Sequence, residues 1–298
     1  MRVLVATDGS KCSRVAVELV ARLDWPAASK LYVVEAVPSG VAVFGGPWPP
    51  IAPVDTDAID REIRERAERN LKEAAAELAD PSRSVETTIV AGRAADTITS
   101  LATQYEVDLI VVGSRGHGTL ETMLLGSVSS EVIDHAHVPV LVARGRDIER
   151  VVFAWDGSER AERALPMLTE WSLFRETPIE VLSVADAEPP WWVRAGLAGP
   201  EVVAEAYHHA AEPSRRQHQE LAEEMAARLA AAGLEARASS RVGDPAETIM
   251  AFAAAHDASL IVLGTHGRTG LQRLLMGSVA RNVVLHARCS ILLARSAA

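Results

Sequence analysis

The sequence predicts an α/β protein built from two copies of a doubly wound, five-stranded parallel-sheet domain, a Rossmann-like arrangement. Residues 113–144 and 264–295 align without gaps at an offset of 151, with 13 identical positions out of 32. A repeat of this length indicates the size of the folding unit. The length of 298 residues agrees with two domains of about 150 residues each. Within each copy, short apolar runs alternate with stretches of helical periodicity.

Five apolar runs in the first copy predict its strands, in the order VLVAT, LYVVEAV, VETTIV, VDLIVVG and VPVLVA. The third run alternates, and the others are nearly continuously apolar, as expected for strands covered on both faces. Between them, helical periodicity is found in SRVAVELVARL, AIDREIRERAERNLKEAAAELA, AADTITSLATQY and GSVSSEVIDHA. This alternation predicts parallel strands joined by right-handed crossovers.

The second copy repeats the pattern with the strands VVFAW, IEVLSVA, LEARASSRV, ASLIVLG and CSILLAR. We therefore expect domains at residues 1–147 and 148–298, joined through a short polar stretch. The offset between copies is 148 over the first two strands and 151 from Gly92 and Gly243 onward, so the copies diverge after their second strands. There, residues 37–54 and 187–200 predict long irregular loops, which are either lids over a ligand or surfaces for a partner.

Composition limits the classes of partner. The net charge is −10 and only 4% of residues are aromatic, which argues against nucleic acid and anionic membranes as partners. Cys12 and Cys289 have no metal-ligand spacing and predict reduced structural thiols. With no apolar run long enough for a signal peptide or a membrane span, we expect a cytoplasmic protein.

A glycine pattern follows the fourth strand of each copy: glycine, two residues, glycine, nine residues, then Gly-Ser opening a helix. Its members are Gly113, Gly116, Gly126 and Ser127 in the first copy and Gly264, Gly267, Gly277 and Ser278 in the second. Glycine permits positive φ and close approach of backbone N–H groups to a ligand, and a helix N-terminus attracts anions. The pattern predicts a phosphate site; the alternative is that these glycines only form tight turns. No Walker-type loop or G-x-G-x-x-G motif is found.

Together with the Asp-Gly-Ser that ends the first strand of each copy, this pattern resembles that of the universal stress protein family in its tandem form. The resemblance covers essentially the whole chain and implies strand order 3-2-1-4-5, with ATP at the point where strand order reverses. It implies that Asp8 and Asp156 lie beside the nucleotide, that Ala36 and Val184 offer backbone to adenine, and that the glycines and serines above hold ribose and phosphates. Ser129 and Ala280 match a further contact position.

The two copies differ in charge within the glycine pattern. The first carries His117 and Glu121, whereas the second carries Arg268 and Arg273. If affinity for phosphate follows local charge, the C-terminal site binds more tightly, with Arg268 as a contact. The alternative is that both arginines are merely solvated.

Catalysis has little support in the sequence, although slow ATP hydrolysis with Mg²⁺ stays open. Asp8 and Asp156 either cap the following helix and orient the nucleotide or bind a metal. No repeated Ser, His and Asp set indicates covalent catalysis. Three histidines, His208, His209 and His218, predict a solvated face of a long helix. His135 and His286 repeat late in the last helix, where a cation complements the helix dipole.

The last strand of each copy lies at a sheet edge in the implied order, and apolar edges need covering. We expect the two copies to cover each other as an intramolecular pseudo-dimer; a homodimer and an unidentified protein partner stay open. The sequence thus favours an ATP-binding regulatory protein of stress or dormancy response. The alternative from another class is a nucleotide-independent scaffold built on paired edge strands.

Overall fold

The structure is a computed structural model that describes residues 1–38, 56–115, 125–186, 200–265 and 276–295. The chain divides into two compact units, unit 1 (Met1–Asp147) and unit 2 (Ile148–Arg295). Among the residues described, no helix combines the length and the apolar character needed to span a bilayer.

Unit 1 alternates strands with helices. Its strands are β1 (Arg2–Ala6), β2 (Ser29–Val37), β3 (Arg83–Ala91), β4 (Leu109–Gly113) and β5 (Val140–Ala143). Its helices are α1 (Lys11–Arg22), α2 (Thr56–Glu77), α3 (Ala94–Gln104) and α4 (Ser127–His135). All neighbouring strands run parallel, in the order β3-β2-β1-β4-β5, which confirms the predicted order.

Unit 2 repeats this topology. Its strands are β6 (Val151–Ala154), β7 (Ile179–Ala185), β8 (Ala236–Val242), β9 (Leu260–Gly264) and β10 (Ser290–Ala294). Its helices are α5 (Glu159–Glu162), α6 (Ala164–Glu170), α7 (Pro200–Ala231), α8 (Pro245–Ala255) and α9 (Ser278–His286), with a 3-10 turn at Ser172–Phe174. The strands are parallel in the order β8-β7-β6-β9-β10, so both described units are doubly wound.

Burial along the strands follows their positions in each sheet. Every residue of β4, β5, β6 and β10 is buried, because helices cover both faces of these strands. The strand β3, the last in the order on its side of unit 1, has no fully buried residue. Its alternating sequence is thus explained by its position beside a single neighbour.

The first helix is continuous in unit 1 but divided in unit 2. Where unit 1 has the twelve residues of α1, unit 2 has α5 and α6, which meet at Arg163. Pro166 lies in the first turn of α6, and it has no N–H to donate to the carbonyl of Glu162. The break in the helix therefore lies where proline removes an i to i−4 hydrogen bond.

The topology leaves a crevice at the carboxyl ends of the strands. From β1 the chain crosses to β2 on one side, and from β4 it crosses to β5 on the other. The connections therefore diverge between the two central strands, β1 and β4 in unit 1 and β6 and β9 in unit 2. Ligands of open α/β sheets bind at such a point.

Candidate functional site

The first strand of each unit ends in the same Asp-Gly-Ser turn. The carboxylate Oδ1 of Asp8 accepts a hydrogen bond from the N–H of Ser10 at 3.0 Å, and Asp156 accepts one from Ser158 at the same distance. The intervening glycines, Gly9 and Gly157, have φ of +72° and +74°, a conformation that disfavours a side chain. The aspartates are thereby fixed at the crevice.

The following helices are capped by serine rather than by aspartate. The side chain of Ser10 accepts from the N–H of Ser13, and that of Ser158 accepts from Ala161. The interpretation of Asp8 and Asp156 as the caps themselves is therefore wrong, because each aspartate closes the turn one step earlier.

The glycines at the ends of β4 and β9 allow a helix to approach closely. A Cβ on Gly113 would lie 2.6 Å from the carbonyl oxygen of Cys12, and one on Gly264 would lie 3.1 Å from the Cα of Ala161. Both contacts are to the backbone of the first helix. Packing alone therefore requires glycine at Gly113 and favours it at Gly264, whatever ligand the crevice holds.

Gly126 and Gly277 are the N-cap residues of α4 and α9. Their φ values of −84° and −60° lie in extended backbone that any residue adopts, so positive φ does not explain these two glycines. The N–H of Gly126 donates to the carbonyl of Ser114 at 2.7 Å, and Gly277 donates likewise to Thr265 at 2.8 Å. Each helix start is thus tied to the end of the preceding strand.

Ser127 and Ser278 are the first residues of those helices, and both are exposed. The N–H groups of a first helical turn have no partner within the helix and carry the positive end of its dipole. Both helix starts therefore have the chemistry that binds an anion.

Ser129 differs from its counterpart in unit 2. Its buried hydroxyl donates to the carbonyl of Gly113 at 2.7 Å and joins α4 to the end of β4. Ala280 occupies the matching position and has no hydroxyl. The hydroxyl of Ser129 is thus used in a hydrogen bond within unit 1, and unit 2 lacks the corresponding hydrogen bond.

Unit 2 contains a cavity of about 420 Å³ at the carboxyl ends of its strands. Of the residues proposed from the sequence, those that line it are Asp156, Val184, Gly264, Gly277, Ser278 and Ala280. Apolar walls come from Ala154, Leu182, Ile249 and Leu263. The fold therefore brings together in one cavity residues as far apart in the sequence as Ala154 and Ala280.

Among the lining residues that sequence reasoning did not assign to the site are Trp155, Asp186 and His218. The side chain of Trp155 is buried, and its ring centroid lies 5.8 Å from that of Phe153. Asp186 directly follows β7. The positions of Trp155 and Asp186 next to strand ends were the available signal, because strand ends converge on the crevice.

The prediction that His218 lies on a solvated face is wrong. Its Nδ1 lies 2.8 Å from the hydroxyl of Ser183, which is completely buried in β7. The ring is half-buried and lines the cavity. His208 and His209 were grouped with it, but the structure describes no side chains at those positions. Helical periodicity alone did not reveal that α7 reaches the cavity at His218.

The corresponding end of unit 1 has different polar chemistry. Glu35, near the end of β2, is buried and accepts hydrogen bonds from the amide of Asn70 at 3.1 and 3.2 Å. A Cβ on Gly9 would lie 2.4 Å from the Asn70 side chain, so α2 packs directly on the Asp-Gly-Ser turn. Ala36 lies beside Glu35 at the end of β2, and Asp8 lies at the end of β1.

His135 and His286 have matching contacts. Their Nδ1 atoms lie 2.8 and 3.0 Å from the carbonyls of Glu131 and Asn282, one turn earlier in the same helix. A ring nitrogen beside a carbonyl in the last turn agrees with the helix-terminal role expected for both.

Several proposed residues lie outside the described part of the chain: Gly116, Gly267, Arg268, His117, Glu121 and Arg273. Most of the two predicted loops also lie outside it. Since Arg268 and Arg273 are not described, the difference in phosphate affinity between the two sites stays a prediction. Among the residues described, no group of three or more histidines, cysteines, aspartates or glutamates is arranged to hold a metal ion.

Comparison with known proteins gives one family across the chain. The sequence model of the Universal stress protein family matches residues 1–144 and again residues 147–295. A universal stress protein of Mycobacterium tuberculosis is 30% identical over 319 aligned positions, covering 98% of this chain and 94% of the relative. One from Methanocaldococcus jannaschii is 29% identical and matches 52% of this chain.

Solved structures agree at the level of the fold. The crystal structure of a universal stress protein from Archaeoglobus fulgidus superposes with a TM-score of 0.67, covering 99% of this chain and 98% of the other at 20% identity. At that identity the likeness shows a shared fold.

Proposed function

The chain belongs to the universal stress protein family, and from this premise we propose that it is an ATP-binding regulatory protein with one nucleotide site per unit. Each site would lie where the first and fourth strands of a unit separate. The proposal includes a role in stress or dormancy response in the cytoplasm, which rests on the family alone.

The cavity of unit 2 is the observation that carries the proposal. Its volume of about 420 Å³ falls within the range of about 300–1,000 Å³ that is usual for small-molecule sites. Apolar walls and a few convergent polar groups are also usual for such sites. The motif residues Asp156, Gly277 and Ser278, for which the family resemblance implies nucleotide contacts, line this cavity.

The polarity of the cavity suits the parts of a nucleotide. The start of α9, with Gly277 and Ser278, offers N–H donors and a positive dipole end to the phosphates. The apolar walls, with Trp155 and Val184, offer a surface for the flat base. Asp156 offers a carboxylate that accepts hydrogen bonds from sugar hydroxyls.

Regulation is proposed rather than turnover. Asp8 and Asp156 each hold the N–H of a serine in a turn, and this structural task accounts for their repetition. Mg²⁺ would enter with ATP. Asp8 and Asp156 would be the carboxylates that both units repeat at the crevice. We propose that nucleotide binding changes the shape or the partner choice of the protein.

The test is a calorimetric titration of the full-length chain with ATP and Mg²⁺, together with mass spectrometry of small molecules released on denaturation. We expect close to two ATP per chain, and adenine nucleotide in the released fraction. One ATP per chain would contradict a nucleotide site in both units.

No heat of binding and no released nucleotide would overturn the proposal. The scaffold built on edge strands would then be the better account. Gly-to-Ala changes at the helix starts would in that case leave cellular function intact.

A further inference from the structure

His218 distinguishes the cavity of unit 2 from the same region of unit 1. The sheet-facing positions of α2 and α7 match at an offset of 151: Ala67, Leu71 and Ala74 in unit 1 correspond to His218, Ala222 and Met225 in unit 2. By this alignment the half-buried His218 replaces a completely buried alanine. Unit 2 therefore has an imidazole where unit 1 has a methyl group.

The net charge of the cavity depends on whether this imidazole is protonated. Of the described residues that line the cavity, Asp156 and Asp186 carry negative charge, and His218 is the one able to become positive. Two carboxylates oppose the entry of a phosphate-bearing ligand. A protonated His218 offsets that repulsion, whereas a neutral one does not.

The contact with Ser183 is compatible with both protonation states of the ring. A serine hydroxyl both donates and accepts, so it can pair with Nδ1 in the neutral and in the protonated imidazole. Because Ser183 is completely buried in β7, it fixes the position of the ring. Protonation of His218 would therefore change the charge of the cavity without breaking this contact.

Two described arginines near α7 are each held by another partner. On β8, the strand beside β7, Arg241 lies opposite Val184 in register, and its guanidinium stacks over the ring of Phe252 at 5.0 Å. On α7 itself, Arg215 forms an ion pair with Glu212 at 2.8 Å. Asp156 and Asp186 are thus the charged groups that share the described cavity wall with His218.

We propose that His218 is a ligand-contacting residue of unit 2 whose protonated form draws the anionic nucleotide, so that the affinity of this cavity rises as the pH falls. The proposal rests on the proposed nucleotide site. The contribution of this histidine belongs to unit 2 alone, since unit 1 has Ala67 at the matching position. Imidazole is the side chain that changes charge within the physiological range of pH.

The experiment compares ATP titrations of the full-length chain at about pH 8 and about pH 6 without added metal. The variant is His218→Asn, whose amide keeps a polar partner for Ser183 and does not titrate. The matched control is His286→Asn, which changes an exposed histidine at the far end of α9. Adenosine, which has no phosphate, is the ligand control.

From the higher to the lower pH, we expect the ATP affinity of the wild type and of the His286→Asn variant to rise. That rise should be about fivefold larger than the rise for His218→Asn. Adenosine should bind equally at both. In nuclear magnetic resonance spectra, ATP should shift the ring signal of His218 and raise its pH midpoint.

Equal pH dependence in wild type and His218→Asn would overturn the role of His218 while leaving nucleotide binding intact, because the dependence would then come from ATP itself. A ring signal that ATP leaves unmoved would overturn it too. Absence of ATP binding by the wild type at both pH values would instead overturn the proposed function, and this proposal with it.

Discussion

Gly113 and Gly264 occupy equivalent positions but have unequal room beside them. The added Cβ would lie 2.6 Å from a backbone oxygen at Gly113 and 3.1 Å from the nearest backbone atom at Gly264. Contacts under 3.0 Å to backbone force a shift of the helix, whereas slightly longer ones require only small adjustments. The same substitution therefore has a different effect in each unit.

We predict that Gly113→Ala lowers the free energy of unfolding by about 1–3 kcal/mol and that Gly264→Ala lowers it by less. Urea unfolding followed by circular dichroism checks this order. Equal losses at the two positions would mean that α1 can move away from β4 as easily as α5 can move from β9.

Some residues that line the cavity could be predicted from the sequence, and others could not. Gly277 and Ser278 were predicted from the repeated glycine pattern, and Asp156 and Val184 from the family resemblance; all four line the cavity of unit 2. His218 was missed, because its role comes from α7 reaching the cavity and pairing with Ser183, a partner 35 positions away. Pairing over that distance leaves no periodic signal.

Among the elements, the helix that follows the third strand of each unit begins differently in the two units. In α8 the side chain of Asp244 accepts from the N–H of Glu247 at 2.9 Å, and Pro245 fills the first helical position. In α3 the N-cap is Arg93, which makes no capping hydrogen bond. Arg93 instead pairs with Glu131 at 2.9 Å on the surface.

We predict that Asp244→Ala costs about 1 kcal/mol of stability, because it leaves an N–H of the first turn without its cap. Arg93→Ala is the matched control and should cost less than about 0.5 kcal/mol, since exposed ion pairs contribute little. Thermal unfolding of both variants measures the difference. An Arg93→Ala loss as large as that of Asp244→Ala would contradict this ranking.

The elements themselves were largely predictable. Each strand of the described units ends within about two residues of the run that predicted it. The central strands are apolar because they are buried on both faces, whereas β3 and β8 are partly exposed. The division of the first helix into α5 and α6 was not predicted. It depends on Pro166, which is compatible with a helix start and is therefore ambiguous in sequence.

At the scale of the molecule, the two units share one topology and differ in their polar chemistry. Gly126 and Gly277 begin equivalent helices with backbone angles that alanine also adopts. Alanine at either position therefore adds a methyl group at the helix start without backbone strain. The pair allows the two sites to be weakened separately.

We predict that Gly277→Ala weakens ATP binding more than Gly126→Ala, because the sequence of unit 2 carries Arg268 and Arg273 close to its site. Calorimetric titration of each variant, with its unfolding midpoint as a control for stability, checks this order. A larger loss in Gly126→Ala would place the tighter site in unit 1.

Trp155 gives unit 2 a property that unit 1 lacks. The indole is buried in the wall of the cavity, and the matching position at the end of β1 is Thr7. Indole emission responds to what lies against the ring, so a base stacked in this cavity would alter the fluorescence of the protein. Because the chain has six tryptophans, a change in emission that is lost in a Trp155→Phe variant would report occupancy of unit 2, whereas unit 1 has no indole at the same point.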